Sequence, residues 1–227
     1  MIPAPFRYPF RGDRAVDVLL VGGALHLVSV YVPVLPLIVV LGYLVVVLRE
    51  TATRDAPDRF DALPSRPSVV DVVRTGLGGA FVVAASLVPS VVVLLVTVGG
   101  LSRLSLSPTA ATVGRSFGFV AGSTASLLLA LVFLSVLPAG LLRYGVTGRI
   151  RAAFDAGALG SAVTDGAYFY NVLVGTVVGA AGVVVGAATA QFVVGFPIAF
   201  YAELVAVAFW SRGLDSVLET ISADGAS

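Results

Sequence analysis

The stretch from Asp165 to Arg212 constrains the fold most, because Glu203 is the only charged residue between its two ends. Its first half carries four glycines at spacings of four, three and four residues, which places them on one helix face; they are Gly175, Gly179, Gly182 and Gly186. A glycine face lets a neighbouring helix backbone approach closely, as happens when helices pack in lipid. The segment from Gln191 to Pro197 predicts a turn before a second apolar helix. We therefore predict a transmembrane helical hairpin in this part of the chain.

The composition of the whole chain agrees with a membrane location. Hydrophobic residues make up 58% of the 227 residues and charged residues only 12%, with a mean hydropathy of +1.01. A soluble domain has about 25% charged residues. We predict an all-α integral membrane protein with a single transmembrane helical domain over residues 1–227.

The apolar residues predict six transmembrane helices arranged as three hairpins. The first apolar run covers 34 residues, 15–48, and as one helix it would extend ~51 Å across a hydrocarbon core of ~30 Å. Pro33 and Pro36 lie near its middle and divide it, because proline opposes helix continuation. The predicted helices cover about 15–32, 36–50, 68–98, 112–142, 165–190 and 195–212. They form a bundle over 15–213, with an N-terminus at 1–14 and a polar, frayed tail at 214–227.

Two further patterns refine this arrangement. The fourth predicted helix carries overlapping small-residue pairs at a spacing of four, which are typical of helix packing in membranes; these residues are Gly114, Gly118 and Gly122. Before the fifth predicted helix, charged and apolar residues alternate between Arg149 and Leu159. This alternation predicts a short interfacial amphipathic helix.

The distribution of arginine predicts the topology. The chain has fourteen basic residues and all of them are arginine. With six helices, twelve arginines share the side that holds both termini, whereas Arg103 and Arg115 lie on the other side. A single helix over 15–48 would leave five spans and a split of nine to five. The positive-inside rule therefore favours six spans with both termini cytoplasmic.

Two ionisable residues lie deep in the predicted bundle. Glu203 precedes Arg212 by nine residues, or ~13–14 Å along a helix, and His26 follows Arg14 by twelve, or ~18 Å. Ionisable groups at such depth face the bundle interior or a cavity. Glu203 and His26 are therefore the candidate polar intramembrane site, either as a proton or cation site or as groups that only satisfy hydrogen bonds within the bundle.

The sequence contains no recognisable catalytic pattern. Cysteine is absent and there is one histidine, which excludes thiolate and HExxH zinc sites. The lack of lysine excludes Schiff-base and P-loop chemistry. Three aspartates in the polar 49–67 loop, Asp55, Asp58 and Asp61, are interleaved with arginines that neutralise them, so we predict no metal site. We expect no enzyme activity and no cofactor, and the net charge of +1 argues against a nucleic-acid partner.

Two functions remain from these observations. The first is a non-enzymatic accessory or scaffold protein, whose partners are the lipid bilayer and another membrane protein or a second copy. The second is a small-solute or ion transporter, proton-coupled through Glu203 and His26. A third, a lipid-modifying enzyme that holds phosphate headgroups with cytoplasmic arginines, lacks a nucleophile and a metal site.

Three segments carry a family resemblance. They are Arg7-Tyr8-Pro9-Phe10-Arg11-Gly12-Asp13, the Pro33/Pro36 turn followed by Leu41-Gly42-Tyr43-Leu44, and Leu137-Pro138 through Arg143-Tyr144 to Ala153-Phe154-Asp155. Together they resemble a multi-pass membrane family of haloarchaea and other euryarchaea that is catalogued only as a domain of unknown function. The resemblance implies an archaeal plasma membrane and a helical bundle, and it assigns no catalytic or binding residue. In layout alone, the chain is also similar to the helical membrane domains attached to some bacterial glycerophosphodiesterases.

The six-span topology makes a direct labelling prediction. Single cysteines at Val34 and Thr109 should react with an impermeant reagent from outside, and cysteines at Ser65 and Ser161 only after permeabilisation. The native chain contains no cysteine, so it is its own unlabelled control. External labelling at Ser65 would reject the six-span topology.

Overall fold

Pro33 and Pro36 separate the first two long helices of the chain. In the computed structural model, helix α2 ends at Ser29 and helix α3 begins at Leu35, with Pro36 in its first turn. Proline is tolerated there because the first amide groups of a helix have no intrahelical acceptor. The structure describes residues 3–54, 58–64, 67–101 and 108–225, without the side chains of 99–101, 108–116, 216 and 222–225.

The described residues form helices joined by turns, and none of them forms a strand. The α-helices are α1 (Ala4–Arg7), α2 (Ala15–Ser29), α3 (Leu35–Thr53), α4 (Val69–Leu101), α5 (Pro108–Thr147), α6 (Ala156–Thr164), α7 (Gly166–Ala188), α8 (Gly195–Arg212) and α9 (Asp215–Gly225). Short 3-10 helices lie at Tyr8–Phe10, Asp58–Phe60, Ile150–Phe154 and Ala190–Phe192. The all-α fold class is confirmed.

Among the described residues, four helical segments are long and apolar enough to cross a membrane. They are Leu35–Thr53, Val69–Val98, Phe117–Thr147 and Gly166–Ala188, and Ala15–Ser29 is apolar but shorter. Helix α2 has 15 residues and α8 has 18, so they extend ~22 and ~27 Å against a hydrocarbon core of ~30 Å. Length and apolar composition together thus support a membrane location and identify four of the six predicted spans.

The chain divides into two compact units. The first comprises Met1–Val82 and Pro138–Ser227, and the second comprises Val83–Leu137. Within the second unit, α4 and α5 are in contact. The hydroxyl of Ser126 in α5 donates a 2.8 Å hydrogen bond to the carbonyl of Ser90 in α4. Such a bond satisfies a polar side chain where water is absent.

Helix α8 is the central helix of the first unit and contacts α7, α2 and α3. It is buried on nearly every side, so its bulky residues do not face lipid. Leu204 and Val205 are fully buried, and Phe209 is only 7% exposed. From the sequence, Val205 and Phe209 are expected to contact lipid, because they lie off the small-residue face of the helix; this prediction is wrong. A helix that is apolar all round belongs inside a bundle.

The N-terminal segment is packed against α8. Phe6 makes an edge-to-face contact with Phe209 at a ring-centroid distance of 5.6 Å, and Phe10 lies 5.3 Å from Tyr201. The Tyr201 hydroxyl donates to the Phe6 carbonyl at 2.9 Å. Tyr8, between these contacts, is fully buried, and this burial raises the pKa of its hydroxyl. The segment therefore caps one end of the first unit.

The tail beyond Gly213 forms a helix, so the expectation of a frayed tail is wrong. Leu214 and Val217 are fully buried, and α9 contacts α6 and α3. Arg59 pairs with Asp215 at the start of α9. Apolar residues spaced three apart give α9 a face to bury, and the ion pair holds its first turn.

The segment expected to be one interfacial helix contains two short helices. The 3-10 helix Ile150–Phe154 ends at Asp155, whose carboxylate accepts hydrogen bonds from the amides of Gly157 and Ala158 and caps α6. The buried Arg143 donates to the same carboxylate at 3.2 Å and to the Thr220 hydroxyl at 3.3 Å. Arg143 thus joins the end of α5 to α6 and α9.

Candidate functional site

The predicted glycine face of α7 lies directly against α8. A Cβ added at Gly179 would come 2.8 Å from the Cβ of Ala206, and one at Gly182 would collide with the Cβ of Ala202. The outer two glycines are equally close to α8. A Cβ at Gly175 would lie 2.7 Å from Trp210, and one at Gly186 would lie 2.9 Å from the Cβ of Ala199. Contacts under 3.0 Å leave no room for a side chain, so this interface requires glycine.

The facing residues of α8 are small at matching positions. Ala199, Ala202 and Ala206 are spaced three and four residues apart, so they form one stripe along the helix. Small residues on both helices let the two backbones approach closely, and the association gains from van der Waals contact. This contact fixes the rotation of α8 about its own axis.

The glycines predicted to pack on the fourth helix are only partly described. Gly122 faces α4, because a Cβ there would collide with the side chain of Thr97. Gly118 is half-buried. Gly114 lies in α5, in the part for which the structure does not describe side-chain surroundings.

Two glycines that sequence analysis did not single out bring α2 against α8. A Cβ at Gly22 would collide with the ring of Phe200, and one at Gly23 would lie 2.7 Å from Cγ of Pro197. Both glycines are buried. Two consecutive glycines in a helix of mostly bulky residues indicate a notch where another helix can pack closely.

This packing places His26 and Glu203 in contact. Nε2 of His26 lies 3.1 Å from Oε1 of Glu203, across the α2–α8 interface. The two side chains are 12% and 27% exposed, respectively. The rotation of α8 that turns its alanines toward α7 therefore turns its one acid toward α2.

Hydrogen-bond chemistry defines how many protons the pair holds. Nδ1 of His26 lies 2.9 Å from the Gly22 carbonyl, which can only accept, so Nδ1 carries a hydrogen. One further proton must then lie between Nε2 and Oε1, and it belongs either to an imidazolium or to a neutral carboxyl. In both states the pair has no net charge, which lowers the cost of placing it in an apolar bundle.

The second oxygen of Glu203 has no hydrogen-bond partner among the described residues. Oε2 is buried, and within the same part of the chain the hydroxyl of Tyr43 is also buried without a hydrogen bond. The centroid of the Phe200 ring lies 6.0 Å from that of the His26 ring and 6.2 Å from that of the Tyr43 ring. The unused oxygen is an acceptor when the carboxylate is charged, so it can take a proton or a cation.

A cavity of about 290 Å³ lies beside the pair, between α2 and α3. Gly22, Tyr43 and Phe200 line it, whereas neither His26 nor Glu203 is among its lining residues. The pair therefore lies outside this cavity, with His26 mostly buried and Glu203 partly exposed. Within the described ranges, no group of three or more histidine, aspartate or glutamate side chains is placed to hold a metal ion.

The fold and the site define a helical protein with several membrane-compatible helices and a net-neutral His–Glu pair between two of them. The chain belongs to the family described as "Protein of unknown function (DUF4013)", whose model matches residues 25–207. The matched range includes both His26 and Glu203. Neither the curated proteins nor the solved structures contain a match to the chain.

The α7–α8 contact predicts the outcome of a substitution. Gly179→Leu should destabilise the protein by ~1–3 kcal/mol, because the added side chain forces α7 away from the alanine stripe. Thermal unfolding in detergent measures the effect.

Gly166→Leu is the matched control, since it lies on the same helix and a Cβ there meets nothing within 4 Å. Equal unfolding temperatures for Gly179→Leu and Gly166→Leu would show that the glycine face is not a packing surface.

Proposed function

We propose that the protein is a non-enzymatic membrane accessory or scaffold protein, in which the His26–Glu203 pair fixes how the helices assemble. The observation that carries this proposal is the direct contact within the pair, which joins α2 to α8. Its two side chains contact each other between tightly packed helices, and the cavity beside them is lined by other residues. A polar contact inside an apolar bundle selects one arrangement of helices over others, because an unpartnered carboxyl in that position is costly.

The exposed surface supports a partner of apolar character. In the second unit, large apolar side chains are widely exposed along both helices, for example Leu95 at 66% and Phe117 at 76%. Lipid covers such surfaces, and so does a membrane-protein partner or a second copy of the chain. A bilayer and an apolar membrane partner therefore suit this surface, whereas nucleic acid does not.

The proposal includes six spans, both termini in the cytoplasm and a location in an archaeal plasma membrane. Support comes from the twelve-to-two arginine split and from the resemblance of the N-terminal and turn segments. Helices α2 and α8 are short for a span, and a local thinning of the bilayer accommodates short helices at modest cost.

A second candidate function is proton-coupled transport of a small solute or ion. One observation favours it, namely the buried and unpartnered Oε2 of Glu203 beside a proton shared with His26. A carboxyl with one free oxygen can exchange its proton for a cation when the bundle opens. The two candidates differ in whether this proton moves during function.

Substitution of Glu203 by glutamine separates the two functions. Glutamine retains a hydrogen-bonding group at this position but cannot ionise. The scaffold proposal predicts that wild-type proteoliposomes show no flux of protons or alkali cations, and that Glu203→Gln unfolds within ~1 kcal/mol of wild type.

The matched variant is Glu203→Leu, which removes both oxygens and should lower stability by ~1–3 kcal/mol, because the ring nitrogen of His26 loses its partner. A pH-dependent flux in wild type that Glu203→Gln abolishes without loss of stability would overturn the scaffold proposal and support transport.

A further inference from the structure

A cavity of about 520 Å³ opens where the end of α3, the start of α4 and the end of α5 meet in the first unit. Its lining includes Arg49 from α3, Arg74 from α4 and Tyr144 from α5. Val46 and Pro67 also line it, so apolar and charged groups are adjacent. This mixture suits a ligand with a charged group attached to an apolar body.

The helices around this cavity are held by close backbone contacts. A Cβ at Gly42 would collide with the Val72 carbonyl, and one at Gly76 would collide with the Ile38 carbonyl. The Tyr144 hydroxyl donates to the Arg74 carbonyl at 3.3 Å and joins α5 to α4. The cavity is therefore formed mainly by fixed helix ends, and Pro67 and Gly148 from the adjoining turns complete its lining.

Two guanidinium groups in the cavity have spare hydrogen-bonding capacity. Among the described residues, neither Arg49 nor Arg74 has a carboxylate within ion-pair distance. Arg49 makes one long contact, 3.5 Å from Nη1 to the Gly145 carbonyl. A guanidinium carries five N–H donors, so most of those on each arginine remain available.

The acidic residues at the cavity leave a positive balance. Glu50 pairs with Arg54 at 3.1 Å, so its charge is compensated from its own helix. Asp71 lies in the first turn of α4, where the positive end of the helix dipole favours it. The lining itself holds two arginines and two carboxylates. Because Arg54 compensates Glu50 from outside the cavity, Arg49 and Arg74 exceed Asp71 by one positive charge, and their two guanidinium groups come from different helices.

We propose that this cavity binds a phosphate group, held by Arg49 and Arg74, with a phospholipid headgroup as its natural source. The arginine fork matches the geometry of phosphate oxygens and forms short, charge-assisted hydrogen bonds with them. In the topology proposed above, the cavity opens on the cytoplasmic side, where anionic lipids attract basic pockets between membrane helices. The apolar lining from Val46 and Pro67 receives the glycerol end of the lipid.

The test is a lipid titration of the full-length, delipidated protein, followed by native mass spectrometry. The probes are phosphatidylglycerol and diacylglycerol with identical acyl chains, so the two lipids differ by the phosphate-bearing headgroup. Wild type should bind phosphatidylglycerol more tightly, and the double variant Arg49→Gln/Arg74→Gln should weaken this affinity by at least about tenfold, since two charge-assisted contacts are lost.

The matched control is Arg149→Gln/Arg151→Gln, which removes the same charge from two exposed arginines outside the cavity. It should leave the affinity for phosphatidylglycerol unchanged. The single variant Arg74→Gln changes an exposed side chain, so it provides a folded comparison if the double variant unfolds.

Inorganic phosphate distinguishes the two sources of the ligand. Displacement of phosphatidylglycerol by phosphate would support a site that takes the free anion as well, and failure to displace it would support a lipid headgroup site. Equal affinity of wild type for both lipids, or an equal loss in the cavity and control variants, would overturn the proposal. Neither result depends on Glu203, so the scaffold proposal is tested separately.

Discussion

The close contact between the glycine face of α7 and the alanine stripe of α8 is the interaction on which the rest of the first unit depends. In a bilayer, helices gain little from burying apolar surface, because lipid is as apolar as the bundle interior. The attraction comes instead from van der Waals contact between closely approaching backbones. Gly182 permits that approach because it has no side chain to meet Ala202. The contact sets the rotation of α8, and the rotation decides which neighbour Glu203 meets.

The rotation of α8 determines both the His26–Glu203 contact and the packing around it. Phe200 fills the notch at Gly22 on α2, and Glu203 contacts His26 across the same pair of helices. The shared proton between Nε2 and Oε1 keeps the pair without net charge, which makes it tolerable between apolar helices. The structure therefore couples a steric fit on one side of α8 to a hydrogen bond on the other.

The sequence predicts those features that depend on spacing and on covalent chemistry. Proline at 33 and 36 predicts the break between α2 and α3, and the four-three-four glycine spacing identifies a helix face that the structure places against α8. The depth of His26 and Glu203 in their helices also follows from counting residues. Hydropathy does not separate lipid-facing from buried apolar residues, since both are apolar, so the burial of Val205 was missed. The sequence does not predict the packing of α9, because the segment after Gly213 is rich in polar residues. Leu214 and Val217 nevertheless lie on one helix face, and both are buried.

Solid-state NMR of the protein in lipid bilayers tests the central claim, that the α7–α8 contact presents Glu203 to His26. The chain has one histidine, so ¹⁵N-histidine labelling reports on a single residue. Combined with ¹³C labelling of the glutamate carboxyl groups, the account predicts dipolar transfer between Nε2 of His26 and a glutamate carboxyl carbon, consistent with an N–O distance of 3.1 Å. The transfer should vanish in Glu203→Gln and persist in Glu50→Gln. Absence of transfer in the folded wild-type protein would contradict the account, because Glu203 would then face lipid or another part of the bundle.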